Sequence, residues 1–213
     1  MLQLLSQGQF AVFALILFAI VFSLTCHEYG HAASAKLLGD DTAERAGRLT
    51  LNPVAHIDPM GLLMVVMLGF GYAKPVPVNP GKLRKSWGSA AVSFAGPGMN
   101  LVLAIISVNL MAWGAANGSG MLGSDGAQLI LIFLAQINLL LMLFNLIPLG
   151  PLDGHYIMEW LLPPRLSHQY SQFNRAYGSW LFFGLIALSI IGIPIFSSLM
   201  RLANSILPLI TFV

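Results

Sequence analysis

Two histidines and a glutamate interrupt a long apolar run near the start of the chain. Residues 10–39 read FAVFALILFAIVFSLTCHEYGHAASAKLLG and contain His27, Glu28 and His31. In a helix, residues four apart lie on one face, so both imidazoles can reach a single zinc ion. A carboxylate beside them is suited to take a proton from a water molecule that the ion polarises. Ionisable groups in a spanning helix are costly unless paired or hydrated, so a metal site is favoured over hydrogen-bonded core histidines.

A catalytic zinc site usually has three protein ligands, so a third ligand must come from elsewhere in the chain. The candidates are His56, Asp58, Asp153 and His155. Asp153 follows a proline-interrupted helix end in LFNLIPLGPLDGH, residues 143–155, where the chain can turn a carboxylate inward. Counting inward from Lys36 at ~1.5 Å per residue places the histidines roughly 8 and 14 Å below the helix end, a depth that Asp153 can share. Cys26 is a further candidate ligand, although an ordinary small buried residue is the simpler interpretation.

The composition indicates a membrane protein. Of the 213 residues, 57% are hydrophobic and 8% are charged, whereas roughly a quarter of the residues in soluble domains are charged. The net charge of +2 gives no basic surface for nucleic acid. No polar linker divides the chain, so we expect one membrane-embedded domain over residues 1–213, in contact with the lipid bilayer.

Hydropathy predicts an all-α polytopic fold with about five transmembrane helices. Spans are predicted at 10–37, 88–113 and 127–147, and the block 177–212 is split into two short helices by IGIPIF at 191–196. Residues 60–73 are apolar but too short to cross, and prolines flank them. We therefore expect a re-entrant element with strand-like edges between the first and second long helices.

The basic residues predict the orientation. If 60–73 dips without crossing, nine basic residues share one face: Lys36, Arg45, Arg48, Lys74, Lys82, Arg84, Lys85, Arg165 and Arg175. The loop 114–126 on the opposite face contains no lysine or arginine. By the positive-inside rule, we expect a protein of the cell membrane whose basic loops and metal site face the cytoplasm and whose N-terminus lies outside.

Three motifs together resemble the site-2 protease family of intramembrane zinc metalloproteases. They are HEYGH at 27–31, FAGPGMN at 94–100 and NLIPLGPLDGH at 145–155. The resemblance implies one zinc ion held by His27, His31 and Asp153, with Glu28 activating water. It also implies the short bacterial-type branch without a PDZ or CBS domain, a catalytic core at about residues 10–160, and a C-terminal helical pair at 177–212.

The implied substrate is a peptide or single-span membrane protein cut in or near its transmembrane segment, as in regulated intramembrane proteolysis. Asn100 and Asn145 match polar positions near the family's active site. Either amide could stabilise an oxyanion or bind substrate backbone, and an interhelical hydrogen bond is the alternative for both. The rival function is a membrane metal-ion transporter, which would also place His and Asp in helices. Against it, the chain shows no internal repeat.

Overall fold

The computed structural model describes residues 1–68, 71–118 and 120–213, and most of them are helical. The helices are α1 (Leu2–Ser6), α2 (Phe10–Leu37), α3 (Thr42–Arg45), α4 (Pro59–Leu68), α5 (Gly88–Asn117), α6 (Asp125–Asn145), α7 (Gly154–Leu161), α8 (Pro164–Ile190) and α9 (Ile195–Ile206). Short 3₁₀ turns cover Pro53–Ala55, Pro80–Lys82 and Leu207–Ile210. The predicted all-α character is confirmed.

Three helices in the described part of the chain are long and apolar enough to cross a membrane, namely α2, α5 and α6. Large apolar side chains on α2 and α5 remain exposed, for example Phe18 and Trp113, as expected of surfaces that face lipid. The chain is a multi-pass membrane protein.

The prediction of about five spans is not confirmed, and the difference lies at the C-terminal end. Helix α8 and the helical residues 195–210 meet at 89°, so they count as at most one further span. Helix α8 starts at Pro164 and its first half is polar, PRLSHQYSQFNRAYG. Helix α9 has 12 residues, about 18 Å, which is short of the ~30 Å hydrocarbon core.

Small residues let the long helices approach one another. Ala104 of α5, Ala135 of α6 and Ala203 of α9 are fully buried in one apolar cluster with Leu139. Between α2 and α5, a Cβ at Gly30 would lie 2.7 Å from the Ala95 carbonyl oxygen. Only glycine allows this spacing, which brings the histidine face of α2 against the GPG motif of α5.

An excursion, residues 48–79, connects α2 to α5, and the two flanks of its helix α4 lie next to each other. Lys74 N donates to His56 O at 2.7 Å, and Ile57 and Ala73 form an isolated antiparallel bridge. Helix α4 lies between these two flanks and has ten residues, about 15 Å, too short to cross. The described residues between α2 and α5 therefore contain no helix long enough to cross a membrane. Gly69 and Phe70, which belong to the predicted membrane-dipping stretch, lie outside the described residues.

The strands predicted at the edges of this excursion are not confirmed. In the described residues 48–52 and 74–79, no strand is present, and the bridge at Ile57 is the nearest β-type pairing. The reason lies in KPVPV, because Pro75 and Pro77 have no N–H to donate to a ladder. The stretch has no regular secondary structure and is held by the side chains of Glu28 and Arg48 instead.

The two basic loops lie together at the C-terminal end of α2. Asn79 N donates to Asp40 at 2.6 Å, and Lys82 pairs with Asp41 at 2.7 Å. Burial raises the pKa of Asp40, but hydrogen bonds from Thr42 and from Asn79 N outweigh this effect and hold the pKa below its ordinary value. Residues 38–48 and 74–85 are thus one surface, in agreement with the predicted clustering of their charges. Which side of the membrane this surface faces stays a prediction.

Candidate metal centre

Helix α2 presents His27 and His31 to the interior of the bundle. Their Nε2 atoms lie 3.0 Å apart, and the rings stand at 85° to each other. Both residues are buried. The spacing of one helical turn thus places two imidazole nitrogens side by side, as the sequence predicts.

Asp153 completes a group of three. Its Oδ2 lies 3.2 Å from His27 Nε2, and its Oδ1 lies 3.4 Å from His31 Nε2. Asp153 is the residue before α7, at the end of the turns that follow α6. Among the described residues, His27, His31 and Asp153 form a group able to hold a metal ion.

The polar atoms of this group fit a bound cation. His31 Nδ1 lies 2.7 Å from the Val92 carbonyl oxygen, which can only accept, so this nitrogen carries the proton and Nε2 offers a lone pair. Asp153 Oδ2 is buried without a hydrogen-bond partner. Tetrahedral zinc with bonds of ~2.0–2.1 Å separates its ligand atoms by about 3.3 Å. The observed separations of 3.0–3.4 Å match that spacing.

Asn174 holds the turn that carries Asp153, and sequence reasoning missed it. From α8, its side chain accepts from Gly150 N at 3.0 Å and donates to Gly150 O at 3.2 Å. Gly150 has a φ of +62°, a conformation that favours glycine. Asn174 lies in a polar stretch before the helices predicted at 177–212, and its burial becomes evident only in the structure.

Glu28 is buried and faces the excursion rather than open solvent. Its Oε2 accepts the Val76 N–H at 3.1 Å. Arg48 holds this segment from the other side, donating to Pro75 O at 2.9 Å and also to Lys74 O. Burial lowers the pKa of Arg48, and the negative charge of Glu28 opposes that shift. Sequence reasoning treated Arg48 only as a loop charge.

The other candidate ligands lie apart from the three-residue group. His56 Nδ1 contacts Arg48 at 3.3 Å, and its Nε2 contacts Thr50 O at 2.8 Å. Asp58 accepts the Met60 and Gly61 N–H groups, each at 2.9 Å, at the start of α4. His155 lies 3.7 Å from Glu159. Cys26 is buried beside His27 and is not among the grouped donors.

The two candidate amides differ in their surroundings. Asn100 is fully buried, and its Oδ1 lies 2.6 Å from His27 Nδ1. Asn145 donates to Leu141 O at 3.0 Å, within its own helix. A role for either in binding an oxyanion or substrate stays a prediction, although Asn100 already uses its oxygen on the metal-site histidine.

Comparisons with known proteins agree with this geometry. The model of peptidase family M50 matches residues 114–189, which include Asp153. A Bacillus subtilis protein named "Putative zinc metalloprotease YwhC" is 43% identical over 166 residues, 76% of this chain and 75% of the relative. Two proteins named "Putative zinc metalloprotease Rip2" are also similar to this chain. The one from Mycolicibacterium smegmatis is 34% identical to it and the one from Mycobacterium tuberculosis is 30% identical. Each match covers 72% of this chain and 59% of the Rip2 protein. No solved structure matches the chain.

Proposed function

Because the chain belongs to peptidase family M50, we propose that it is a zinc metalloprotease that cleaves peptide bonds in or near membrane-spanning segments of other proteins. His27, His31 and Asp153 would hold one zinc ion, which supplies the electrostatic activation of a water molecule and of the scissile carbonyl. The observation that carries this proposal is the grouping of His27, His31 and Asp153. Their two Nε2 atoms lie 3.0 Å apart, and the two carboxylate oxygens of Asp153 lie 3.2 and 3.4 Å from them.

Glu28 is the proposed general base. It follows His27 directly in α2, and its carboxylate is fixed by the Val76 N–H. It would accept a proton from the attacking water while the oxygen bonds to the scissile carbonyl carbon. As the carbon–nitrogen bond breaks, Glu28 would return that proton to the leaving amine nitrogen. The products are one carboxylic acid and one amine.

The extended segment 74–78 is the proposed docking edge for the substrate. A spanning substrate is helical, with its backbone carbonyls hydrogen-bonded, so it must unwind before hydrolysis. Pairing with an extended edge from 48–52 or 74–79 would stabilise the unwound form. The contact between Val76 N and Glu28 supports the location of this edge, because it places the segment directly beside the proposed base. Since Pro75 and Pro77 have no N–H and the Val76 N–H is bound to Glu28, the substrate would pair mainly by donating to carbonyl oxygens of this segment.

The decisive experiment combines zinc analysis with cleavage of a single-span substrate in proteoliposomes. Asp153→Ala should lose both zinc and cleavage. Glu28→Gln should retain zinc and lose cleavage, because an amide cannot accept the proton. His155→Ala is the matched control, since His155 is only two residues from Asp153 and lies outside the donor group. Wild-type zinc content in Asp153→Ala, or activity in Glu28→Gln, would contradict the assignment.

The same vesicles test the rival function and the proposed orientation. Zinc flux without peptide cleavage would favour a metal transporter. For orientation, a single cysteine replaces Lys85 in a Cys26→Ser background. An impermeant thiol reagent should label it only from the cytoplasmic side, and labelling from outside would reverse the topology.

A further inference from the structure

A chain of buried polar side chains reaches from the candidate metal centre into the bundle. His27 Nδ1 meets Asn100 Oδ1 at 2.6 Å, and Asn100 Nδ2 donates to Asn138 Oδ1 at 2.8 Å. Asn138 Nδ2 then donates to Ser23 Oγ at 2.9 Å. The four residues lie on α2, α5 and α6, and Ser23, Asn100 and Asn138 are fully buried. Nothing in the proposed reaction requires Asn138 or Ser23.

Two backbone carbonyls fix the direction of this chain. The Leu134 carbonyl oxygen lies 2.8 Å from Asn138 Nδ2 and can only accept, so the Asn138 oxygen must face Asn100. The Ser23 carbonyl oxygen lies 3.4 Å from Asn100 Nδ2 and imposes the same orientation on Asn100. The Asn100 oxygen is thereby turned towards His27.

The direction of the chain decides which nitrogen of His27 carries the proton. Since Asn100 Oδ1 can only accept, His27 Nδ1 must donate, and Nε2 is left with a lone pair. That lone pair points to the same place as His31 Nε2 and Asp153. If the Asn100 amide turned over, its NH₂ group would compete for the Nδ1 lone pair, and Nε2 would carry the proton.

We propose that Asn138 and Ser23 are positioning residues of the metal centre, which act through the Asn100 amide to keep His27 Nε2 free for the metal. This inference rests on the proposed metal site, and it adds a function for two residues that touch neither metal nor substrate. Partners of metal-binding histidines typically contribute about 10- to 100-fold to metal affinity.

The test is a double-mutant cycle on the zinc affinity of the full-length protein in detergent, measured by competition with a chromophoric chelator. Asn138→Leu should weaken zinc binding about 10-fold, because the Asn100 amide loses its 2.8 Å contact and only the 3.4 Å contact to Ser23 O still opposes its turning over. Asn100→Ala should also weaken zinc binding, because His27 Nδ1 loses its acceptor. In the Asn100→Ala background, Asn138→Leu should then have no further effect on zinc affinity.

Asn109→Leu is the matched control. Like Asn100, Asn109 lies in α5. Its amide donates to Ile210 O at 2.7 Å, but none of its hydrogen bonds reaches the histidines. It should leave zinc affinity unchanged. If Asn138→Leu fails to fold, Ser23→Ala is taken through the same cycle, with a smaller loss expected.

The outcomes separate this inference from the metal site itself. An equal loss for Asn138→Leu in both backgrounds means a purely structural residue and overturns the proposal, as does no loss in either. Failure of the wild-type protein to bind zinc, or undiminished binding by His27→Ala, would instead refute the metal site.

Discussion

Gly96 offers the sharpest steric test of the metal centre. It lies in α5 against the histidine pair, and a Cβ there would be 2.3 Å from His31 Nε2 and 2.7 Å from His27 Cε1. Nonbonded carbon contacts are comfortable at about 3.5 Å, so a Gly96→Ala methyl must push the imidazole edge by about 1 Å. His31 cannot easily retreat, because its Nδ1 is held 2.7 Å from Val92 O.

This displacement is large on the scale of metal coordination. Ligand distances must hold to about 0.2 Å, and overpacking of this kind typically costs about 1–3 kcal/mol. If that cost falls on the bound state, zinc affinity drops by about 5- to 150-fold. The measurement is zinc competition on the purified Gly96→Ala protein, with its thermal unfolding followed without metal.

Gly98→Ala is the matched control for Gly96→Ala. Both substitutions remove a glycine from one turn of α5, but a Cβ at 98 meets the Phe94 ring at 3.5 Å, an ordinary contact. Gly98→Ala should therefore bind zinc as the wild type does. Wild-type affinity in Gly96→Ala, or an equal loss in both variants, would refute the packing of α5 against the histidines.

Three further predictions concern the surroundings of the site. Arg48→Lys should destabilise the protein by about 1.5–3 kcal/mol, because an ammonium cannot span Lys74 O and Pro75 O. The measurements are thermal unfolding and the rate of trypsin cleavage at Lys82, and an unchanged tryptic pattern would contradict it. The lowered pKa of Asp40 contributes stability that is present above its ordinary pKa of about 3.9 and is lost as pH falls through the lowered value. Asp40→Asn should thus be less stable than the wild type at pH 7, with the difference in unfolding temperature shrinking in acid; a constant difference would exclude the charge as its cause. Chelation of zinc should lower the unfolding temperature of the wild type, since free zinc at about 100 times its Kd adds about 2.7 kcal/mol, and Asp153→Ala should show no such response.

The ligands were predictable because the strongest signals are local. His27 and His31 are related by one helical turn, a relation that any helix enforces. The two prolines that end its helix and its expected depth favoured Asp153 over His56, Asp58 and His155, and the resemblance to site-2 proteases implied it as the third ligand. The structure brings these three residues together, although Asp153 follows His27 by 126 residues and His31 by 122.

The sequence predicted Asn100 near the site, but the partners of the supporting residues were not predictable, because each contact joins residues distant in sequence. Asn138 reaches Ser23 across 115 residues, and Asn100 reaches His27 across 73. An Asn inside an apolar helix signals that a polar partner exists, but not which one. The two features that are not confirmed, the span count and the strands, have a similar origin. Hydropathy does not encode the 89° bend between α8 and the helical residues after it, and KPVPV looks strand-like until its missing N–H groups are counted.

The third candidate ligand, Asp153, lies on a turn, and this location explains why the turn is hydrogen-bonded to another helix. His27 and His31 are fixed by one rigid helix, whereas Asp153 stands on a turn between α6 and α7. A turn held only by its own backbone would lose conformational entropy on binding a metal, and affinity would fall accordingly. The two hydrogen bonds between the Asn174 side chain and the Gly150 backbone hold the turn against α8 before an ion binds. Helix α8 therefore supports the candidate metal site, even though it supplies none of the three grouped side chains.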